Sequence, residues 1–562
     1  MNQPNWAEFY PAGVARTIAV DKYQSILEVM DTCCRQFADK PAFTNYGYTI
    51  TYGELYQLSG QFAAFLQHET DLQPGDRIAI QLPNLIQFPI AVFGALRAGL
   101  IVVNTNPLYT EREMEHQFKD SGAKALVVLA NMASLAEKVV PKTAVKHVIV
   151  TQIGDMLPLV KRTLINTVVK HVKKLVPSFN LPEAIPFRRV LSDGSRYTLR
   201  PVTVQADDVA VLQYTGGTTG VAKGAMLTHR NIIANMLQAK SMMGKDLTVA
   251  QETIIAPLPL YHIYAFTFHC MVGMFTGQHN VLITNPRDLP RFVKELSSIK
   301  FSAFVGLNTL FVGLMNNERF RQLDFSGLRL TLSGGMALQL DTAQRWHSIT
   351  GSTICEGYGM TETSPIVCVN PIHQPKVGTI GVPVPSTEVK LMGDNGEVDQ
   401  PGEAGELWVR GPQVMKGYWQ RPEATMESLT DDGWLKTGDI AAFTTEGYLK
   451  IVDRKKDMIV VSGFNVYPNE LEDVLAKHPD VTQCAVIGVP SEKTGEAIKA
   501  FVVSKNPQLR KEDIVQFFRD HVTGYKIPRL VEFREELPTT NVGKILRRQL
   551  RDEELGKLKK AS

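Results

Sequence analysis

Arg77-Ile-Ala-Ile-Gln-Leu82 opens the stretch that decides the fold: a helical pattern follows over 88–98, then Ile101-Val-Val103, then Leu126-Val-Val-Leu129. Short apolar runs separated by helix-length text are the β-α-β rhythm of a parallel sheet covered by helices. The rhythm resumes at Val209-Ala-Val-Leu-Gln-Tyr214, at Ile254-Ile-Ala256, at 302–306 and at 328–332. It predicts an α/β fold with a large multilayer body. From about 383 the texture changes to short strands punctuated by Gly and Pro, such as Glu388-Val-Lys-Leu391 and Gly405-Glu-Leu-Trp-Val-Arg-Gly411, which predict a small β-rich subdomain. Beyond Asp453-Arg-Lys-Lys-Asp457 a helix over 468–478, strands over 481–489 and 500–504, a helix over 511–521 and a strand over 530–533 make a unit the size of an α+β lid.

Composition narrows the function classes. Of 562 residues, 60 are Lys or Arg and 57 Asp or Glu, a net +3 that demands neither a nucleic-acid partner nor a strongly basic one. Hydrophobic residues at 44% and charged residues at 21% fit a folded protein with a large core and exclude disordered or collagen-like chains. Residues 1–16 lack the basic and then apolar runs of an export signal. The most apolar windows, 88–103 and 263–275, carry Arg97 and His269 and fall short of the ~18 residues that span a bilayer. Six cysteines with no CxxC pair argue against a zinc site or disulfide framework, so a reducing cytoplasm is the expected location.

The densest chemical signal is Tyr214-Thr-Gly-Gly-Thr-Thr-Gly-Val-Ala-Lys-Gly224, after a predicted strand and before a helix starting near 228. Glycines let backbone N–H groups turn inward as an anion nest, Thr hydroxyls add donors and Lys223 adds charge. This is a phosphate loop, and neither a Walker A nor a GxGxxG sequence.

The loop resembles that of the adenylate-forming superfamily, which includes acyl-CoA synthetases, luciferases and peptide-synthetase adenylation domains. The superfamily's later landmarks follow in order: Pro257-Leu-Pro-Leu-Tyr-His262, Ser333-Gly-Gly-Met336, Glu356-Gly-Tyr-Gly-Met-Thr-Glu362, Trp434-Leu-Lys-Thr-Gly-Asp439, Asp453-Arg-Lys-Lys-Asp457, Val461-Ser-Gly-Phe-Asn-Val-Tyr-Pro468 and Pro538-Thr-Thr-Asn-Val-Gly-Lys544. Nearly the whole chain is covered, least informatively over 153–201. The text from Asp432 to Pro468 is most similar to bacterial long-chain fatty-acid:CoA ligases.

The resemblance implies ATP, Mg²⁺ and coenzyme A as cofactor and substrates, with a fatty acid as the acyl donor. It assigns ATP to Tyr214, Thr215, Gly216, Gly217, Thr218, Thr219, Gly220 and Lys223, to Gly335, Met336, Glu356, Gly357, Tyr358, Gly359 and Thr361, and to the ribose and phosphate contacts Asp439 and Arg454. Glu362 and Thr218 would hold the metal, for which one carboxylate suffices when ATP supplies the other oxygens. Lys544, His262, Thr219 and Glu362 would be catalytic, Lys544 by bridging the substrate carboxylate and the α-phosphate. An AMP-binding domain over 1–452 would join a mobile lid over 458–562 through a hinge at 453–457, turning at Lys456. Ser462, Gly463 and Phe464 would line the pantetheine tunnel. Phe266, His262 and Tyr264 would line the acyl tunnel, with Phe266 at the position of an aromatic gate; ordinary core is the alternative that periodicity favours. Acetate-specific relatives carry Trp where this chain has Gly359, so a short acyl group is not expected.

The implied reaction forms acyl-AMP and pyrophosphate, then acyl-CoA and AMP, feeding fatty-acid degradation or lipid synthesis. The alternatives are a medium-chain or aryl-acid CoA ligase, a luciferase-like oxygenase and a non-catalytic lipid-binding relative; the last would have lost Lys544, Glu362 or Asp439, and all three are present. A peptide-synthetase domain would require a carrier segment that does not follow Lys544. A homodimer is a further expectation.

One segment stands apart. Leu159, Val160, Leu164, Val168, Val172, Leu175 and Val176 recur at near-helical spacing, with Lys161, Arg162, Lys170, Lys173 and Lys174 between them. It reads either as a solvated surface helix or as peripheral contact with the anionic inner face of the cytoplasmic membrane.

Overall fold

The computed structural model describes residues 5–215, 222–244, 247–462, 464–491, 493–539 and 545–561, with side chains as far as 557 in the last segment. They form two compact units, one of 5–388 with 410–435 and the other of 389–409 with 436–561.

The larger unit is built on two sheets. One runs in the order Ile185–Pro186, His147–Thr151, Ala125–Leu129, Arg77–Gln81, Ile101–Asn104, Val209–Thr215, Lys223–Thr228. Its neighbours pair in parallel except the last two, which form an antiparallel hairpin. Ala125–Leu129 and Ile101–Asn104 are buried at every residue, which is why their sequences are continuous apolar runs without alternation. The helix Gln87–Arg97 is likewise buried along its length until Arg97. That one charge is accommodated by the Tyr56 ring, 4.1 Å from the guanidinium, and by the Ser59 hydroxyl at 3.0 Å.

The other sheet runs Val382–Pro383, Ile366–Val369, Ile354–Gly359, Leu330–Gly334, Ala303–Gly306, Thr253–Ala256, His279–Leu282, Pro41–Asn45, Tyr48–Thr51. It is parallel in the centre and antiparallel at both ends. The sequence placed a helix directly after the glycine-rich loop; the structure inserts the strand Lys223–Thr228 first. The helix His229–Met243 then starts where expected, because Thr228 and Asn231 cap each other's backbone N–H at 3.0 and 3.1 Å.

In the smaller unit a five-stranded sheet runs Gly396–Val398, Glu388–Gly393, Ala404–Arg410, Leu435–Phe443, Leu449–Arg454. The expected β-rich segment thus shares a compact unit with the C-terminal part of the chain, and the expected division at 452/453 falls inside the strand Leu449–Arg454. A second sheet, Phe464–Val466, Ile459–Val461, Gly495–Ser504 and Val481–Ser491 with Leu530–Phe533 parallel beside Gly495–Ser504, carries the helices Pro468–Leu475 and Lys511–Arg519. Leu471, Leu475, Ile514 and Phe518 bury their apolar faces there. A final helix, Arg547–Ala561, lies beyond the last element expected from the sequence. Few apolar residues mark it; Leu550 enters the core, and charged pairs such as Arg548–Asp552 span its turns.

The basic segment forms an α-helix, Leu159–Thr167, continued by a wider turn over Val168–Val172, and is shorter than its sequence pattern. It is held by polar contacts: Asn166 accepts from Gly154 N at 2.8 Å, and Lys161 donates to the Tyr46 carbonyl. Leu159, Leu164, Val172 and Leu175 are exposed, and Val160 is 82% exposed. Among the described residues no helix is long and apolar enough to cross a membrane.

Candidate active site

In the larger unit the site is organised by the hairpin. Tyr214 pairs with Gly224 and Thr215 with Lys223, so the loop springs from a rigid two-strand base. Any side chain at 224 would come within 3.0 Å of the Tyr214 ring, so the bare glycine lets that ring lie across the hairpin. The Tyr214 hydroxyl donates to Asp120 at 2.7 Å, and Asp120 in turn pairs with Arg421. Burial and Asp120 both raise the phenol's pKa, so it stays a donor. Gly216, Gly217, Thr218, Thr219 and Gly220 lie outside the described residues.

On the facing strand, at the same end of the hairpin, Lys223 Nζ stands 5.2 Å from the centre of the Tyr418 ring. The Tyr418 hydroxyl donates to Glu362 Oε1 at 2.7 Å. Residues 416–419 run along the edge of the strand Lys223–Thr228, with Met226 N donating to Gly417 O and Trp419 N to Gly224 O, which fixes Tyr418 in register with the loop's base. Burial and Glu362 hold the Tyr418 phenol protonated. Glu362 is buried, and its own carbonyl accepts from Met415 N at 2.8 Å. The structure therefore brings Lys223 and Glu362 together through Tyr418, which no sequence signal singled out; Asp120 and Arg421 were missed for the same reason.

The central strands supply the next group. Gly334 pairs with Gly357 across Leu330–Gly334 and Ile354–Gly359, and Gly335 turns the chain away at φ 83°. A Cβ at 334 would meet the Tyr264 ring at 3.2 Å, so this acyl-tunnel candidate packs on the bare backbone beside the nucleotide candidates Gly335, Met336, Gly357 and Tyr358. Glu356 is buried, accepts from Leu338 N at 3.1 Å, and is pushed up by burial to about 8. A Cβ at 359 would fall 1.9 Å from the Pro365 carbonyl oxygen, so the turn leading to Thr361 and Glu362 itself requires this glycine. His262 accepts the N–H of Tyr264 through Nδ1 at 3.3 Å, capping the turn that starts the 263–275 segment. Phe266 is fully buried.

In the smaller unit Asp439 and Arg454 face each other across paired strands, with Arg454 Nε 3.0 Å from Asp439 Oδ1. Thr437 and Glu406 tie down the preceding turn: Thr437 Oγ1 donates to Leu407 O at 2.7 Å, and Glu406 accepts from Gly438 N at 3.2 Å and from Lys455 at 3.0 Å. A carboxylate with two oxygens beside a fixed guanidinium suits a ribose diol and its phosphates. Burial, helped by Arg454, lowers the Lys456 ammonium to about 8. Ser462 turns at φ 52°, and Phe464 is 56% exposed with its ring stacked on Tyr525 at 4.8 Å. Gly463 and Lys544 lie outside the described residues.

The donor set fits magnesium held jointly with a nucleotide. Among the described residues no three His, Cys, Asp or Glu side chains converge on one point, whereas Glu362 is a single buried carboxylate oriented by a phenol. Mg²⁺ characteristically takes one or two carboxylates and completes its shell from phosphate oxygens and water.

A family model described as AMP-binding enzyme matches residues 30–419, and that of the AMP-binding enzyme C-terminal domain matches 470–544. The chain belongs to the AMP-binding enzyme family. Among its relatives, the long-chain-fatty-acid–CoA ligase of Salmonella typhimurium is 55% identical over 557 residues, 98% of this chain and 99% of that one. A feruloyl-CoA synthase of Amycolatopsis is 34% identical over 90% of this chain and 94% of its own. The crystal structure of ATP-bound MatB from Rhodopseudomonas palustris superposes with a TM-score of 0.80 at 27% identity, covering 94% of this chain and 98% of that one.

Proposed function

We infer that this AMP-binding enzyme is a long-chain fatty-acid–CoA ligase. The observation that carries the reading is end-to-end likeness, at 55% identity, to a ligase named for that substrate, against 34% for the relative named for an aryl acid. In the first half-reaction a carboxylate oxygen of the fatty acid attacks the α-phosphorus of ATP, the bond to the bridging oxygen breaks, and pyrophosphate leaves. In the second, the thiolate of coenzyme A attacks the acyl carbon, the bond to the AMP oxygen breaks, and AMP leaves. The protein's share is to position the reactants and to neutralise charge.

Lys223 and the 216–220 loop hold the phosphates, Tyr358 and the backbone at Gly335 and Gly357 take the adenine, and Asp439 with Arg454 takes the ribose. Lys544 meets the α-phosphate as it becomes pentavalent. Glu362 and Thr218 would hold Mg²⁺ together with the nucleotide, and the ion would supply charge neutralisation for the departing pyrophosphate. Turning at Lys456 within a 453–457 hinge then withdraws Lys544 and presents Ser462, Gly463 and Phe464 to pantetheine. An acid-dependent pyrophosphate-exchange assay over short, medium, long and aryl acids tests the assignment. Long-chain acids are expected to lead, and preference for an aryl or medium-chain acid would replace it.

A second observation supports contact with a membrane. The segment Leu159–Thr167 with Val168–Val172 exposes aliphatic side chains while Lys161, Lys170, Lys173 and Lys174 surround them with positive charge, a pattern suited to the boundary of an anionic bilayer. The enzyme would then work in the cytoplasm against the inner face of the membrane, where its substrate partitions. Binding to vesicles containing anionic lipid should weaken with salt and on replacing those lysines by Gln; unchanged binding would remove the idea. A homodimer completes the reading, and sedimentation equilibrium would then return twice 62.4 kDa.

A further inference from the structure

The last helix, Arg547–Ala561, begins three residues after Lys544, and its first side chain is the most heavily paired cation of the smaller unit's described residues. Arg547 Nε donates to Glu472 Oε1 at 2.9 Å, and its Nη2 reaches both Glu472 Oε2 and Asn469 Oδ1. Its Nη1 stands 3.6 Å from Asp453 Oδ1 and 3.6 Å from Asp457 Oδ2. Arg551, one turn on, binds Asp457 Oδ1 at 3.1 Å. Asp453 is fully buried and also accepts Arg454 N and Asn469 N, each at 2.7 Å.

These carboxylates lie on both sides of Lys456. Asp453 precedes it, whereas Asp457 and Glu472 follow it, so a rotation of the backbone at Lys456 must carry Arg547 with the latter pair and away from the former. Asp453 is also the immediate neighbour of Arg454, which faces Asp439 across the sheet. The α-phosphate of ATP hangs on the 5′ oxygen of the ribose that Asp439 would hold. Tying Arg547 to Asp453 therefore tethers the start of the last helix to the strand that would register the ribose.

We propose that Arg547 is a positioning residue for acyl-adenylate formation: through Asp453 it ties the start of the last helix, three residues beyond Lys544 in the sequence, to the strand that carries Arg454 in one of the two orientations that the half-reactions require. The proposal rests on the hinge and Lys544 assignments above, and the experiment separates their failures. Full-length Arg547→Gln, Arg547→Lys and Lys544→Ala proteins are compared in two assays: fatty-acid-dependent pyrophosphate exchange, and thioester formation from supplied acyl-adenylate and coenzyme A. Displacing a catalytic group by about 1 Å costs on the order of 100-fold, so Arg547→Gln should lose about that in exchange and less than about 3-fold in thioester formation. Arg547→Lys, which keeps the charge without the fork, should recover part of the exchange rate.

Equal loss in both assays, or no loss in either, would overturn the proposal while leaving Lys544 intact if Lys544→Ala remains selective for exchange. Equal loss in Lys544→Ala would overturn the underlying assignment instead. Thermal unfolding of each variant accompanies the assays; if Arg547→Gln does not fold, the same selectivity in Arg547→Lys decides the matter.

Discussion

Tyr418 donates its hydroxyl to Glu362 at 2.7 Å and turns its ring toward Lys223, whose Nζ lies 5.2 Å from the ring centre. One phenol therefore touches the cation at the base of the phosphate loop and the carboxylate assigned to the metal. Hydrogen bonds to charged groups contribute about 1.5–3 kcal/mol. Tyr418→Phe, which keeps the ring and removes the donor, should raise the Mg²⁺ concentration needed for half-maximal pyrophosphate exchange by about 10-fold or more. Tyr418→Leu should add a weaker affinity for ATP, because Lys223 loses its aromatic support. A magnesium titration identical to that of the parent protein would remove Tyr418 from the site.

Lys544→Ala should abolish acyl-adenylate formation and leave thioester formation from supplied acyl-adenylate nearly intact. Losing one donor to a developing oxyanion costs about 3–4 kcal/mol, or two to three orders of magnitude in rate. Single-turnover measurements on the two half-reactions read the difference.

Glu356 carries a pH signature. Its carboxyl keeps its proton to about pH 8 in the fold, against 4.5 as the ordinary value. Between these pH values the native state binds the additional proton, so Glu356 contributes stability that is complete below pH 4.5 and is lost as pH rises through 8. Glu356→Gln removes that dependence and preserves the acceptor for Leu338 N. Its stability relative to the parent should grow with pH across this window by at most about 1.4 kcal/mol per pH unit, then level off. Urea unfolding at pH 5, 6.5 and 8 measures the trend.

Gly359→Ala should destabilise the protein by about 2 kcal/mol or more, because the new methyl falls on the Pro365 carbonyl and the turn must open. Calorimetry would detect it. The acid-chain preference of any variant that folds should be unaltered, because the first demand on this glycine comes from the backbone. A changed preference at unchanged stability would return Gly359 to the acyl pocket, where comparison with acetate-specific relatives had placed it.

The parallel sheets were legible because Arg77–Gln81, Ile101–Asn104 and Ala125–Leu129 are buried on both faces and therefore written as apolar runs. The helix Arg547–Ala561 was not, since most of its surface is charged and only a few side chains such as Leu550 reach the core. The strand Lys223–Thr228 was hidden in text that continues from the loop into the helix without a break in polarity. Glu362, Asp439 and Arg454 were found because their short motifs are contiguous. Tyr418, Asp120 and Arg421 act through contacts made across 56 to 301 positions of sequence, where no local pattern signals them.

The route of the chain through the two units bears on recombination between relatives. It passes from one unit to the other at 388/389, 409/410 and 435/436, so no single crossover exchanges a whole unit. A chimera joined at 453 would take the strand Leu435–Phe443 from one parent and the end of its partner Leu449–Arg454 from another, parting Asp439 from its own Arg454. Hybrids that inherit residues 389–409 and 436–561 from one parent keep that pair, the hinge carboxylates and Arg547 as a single inherited block.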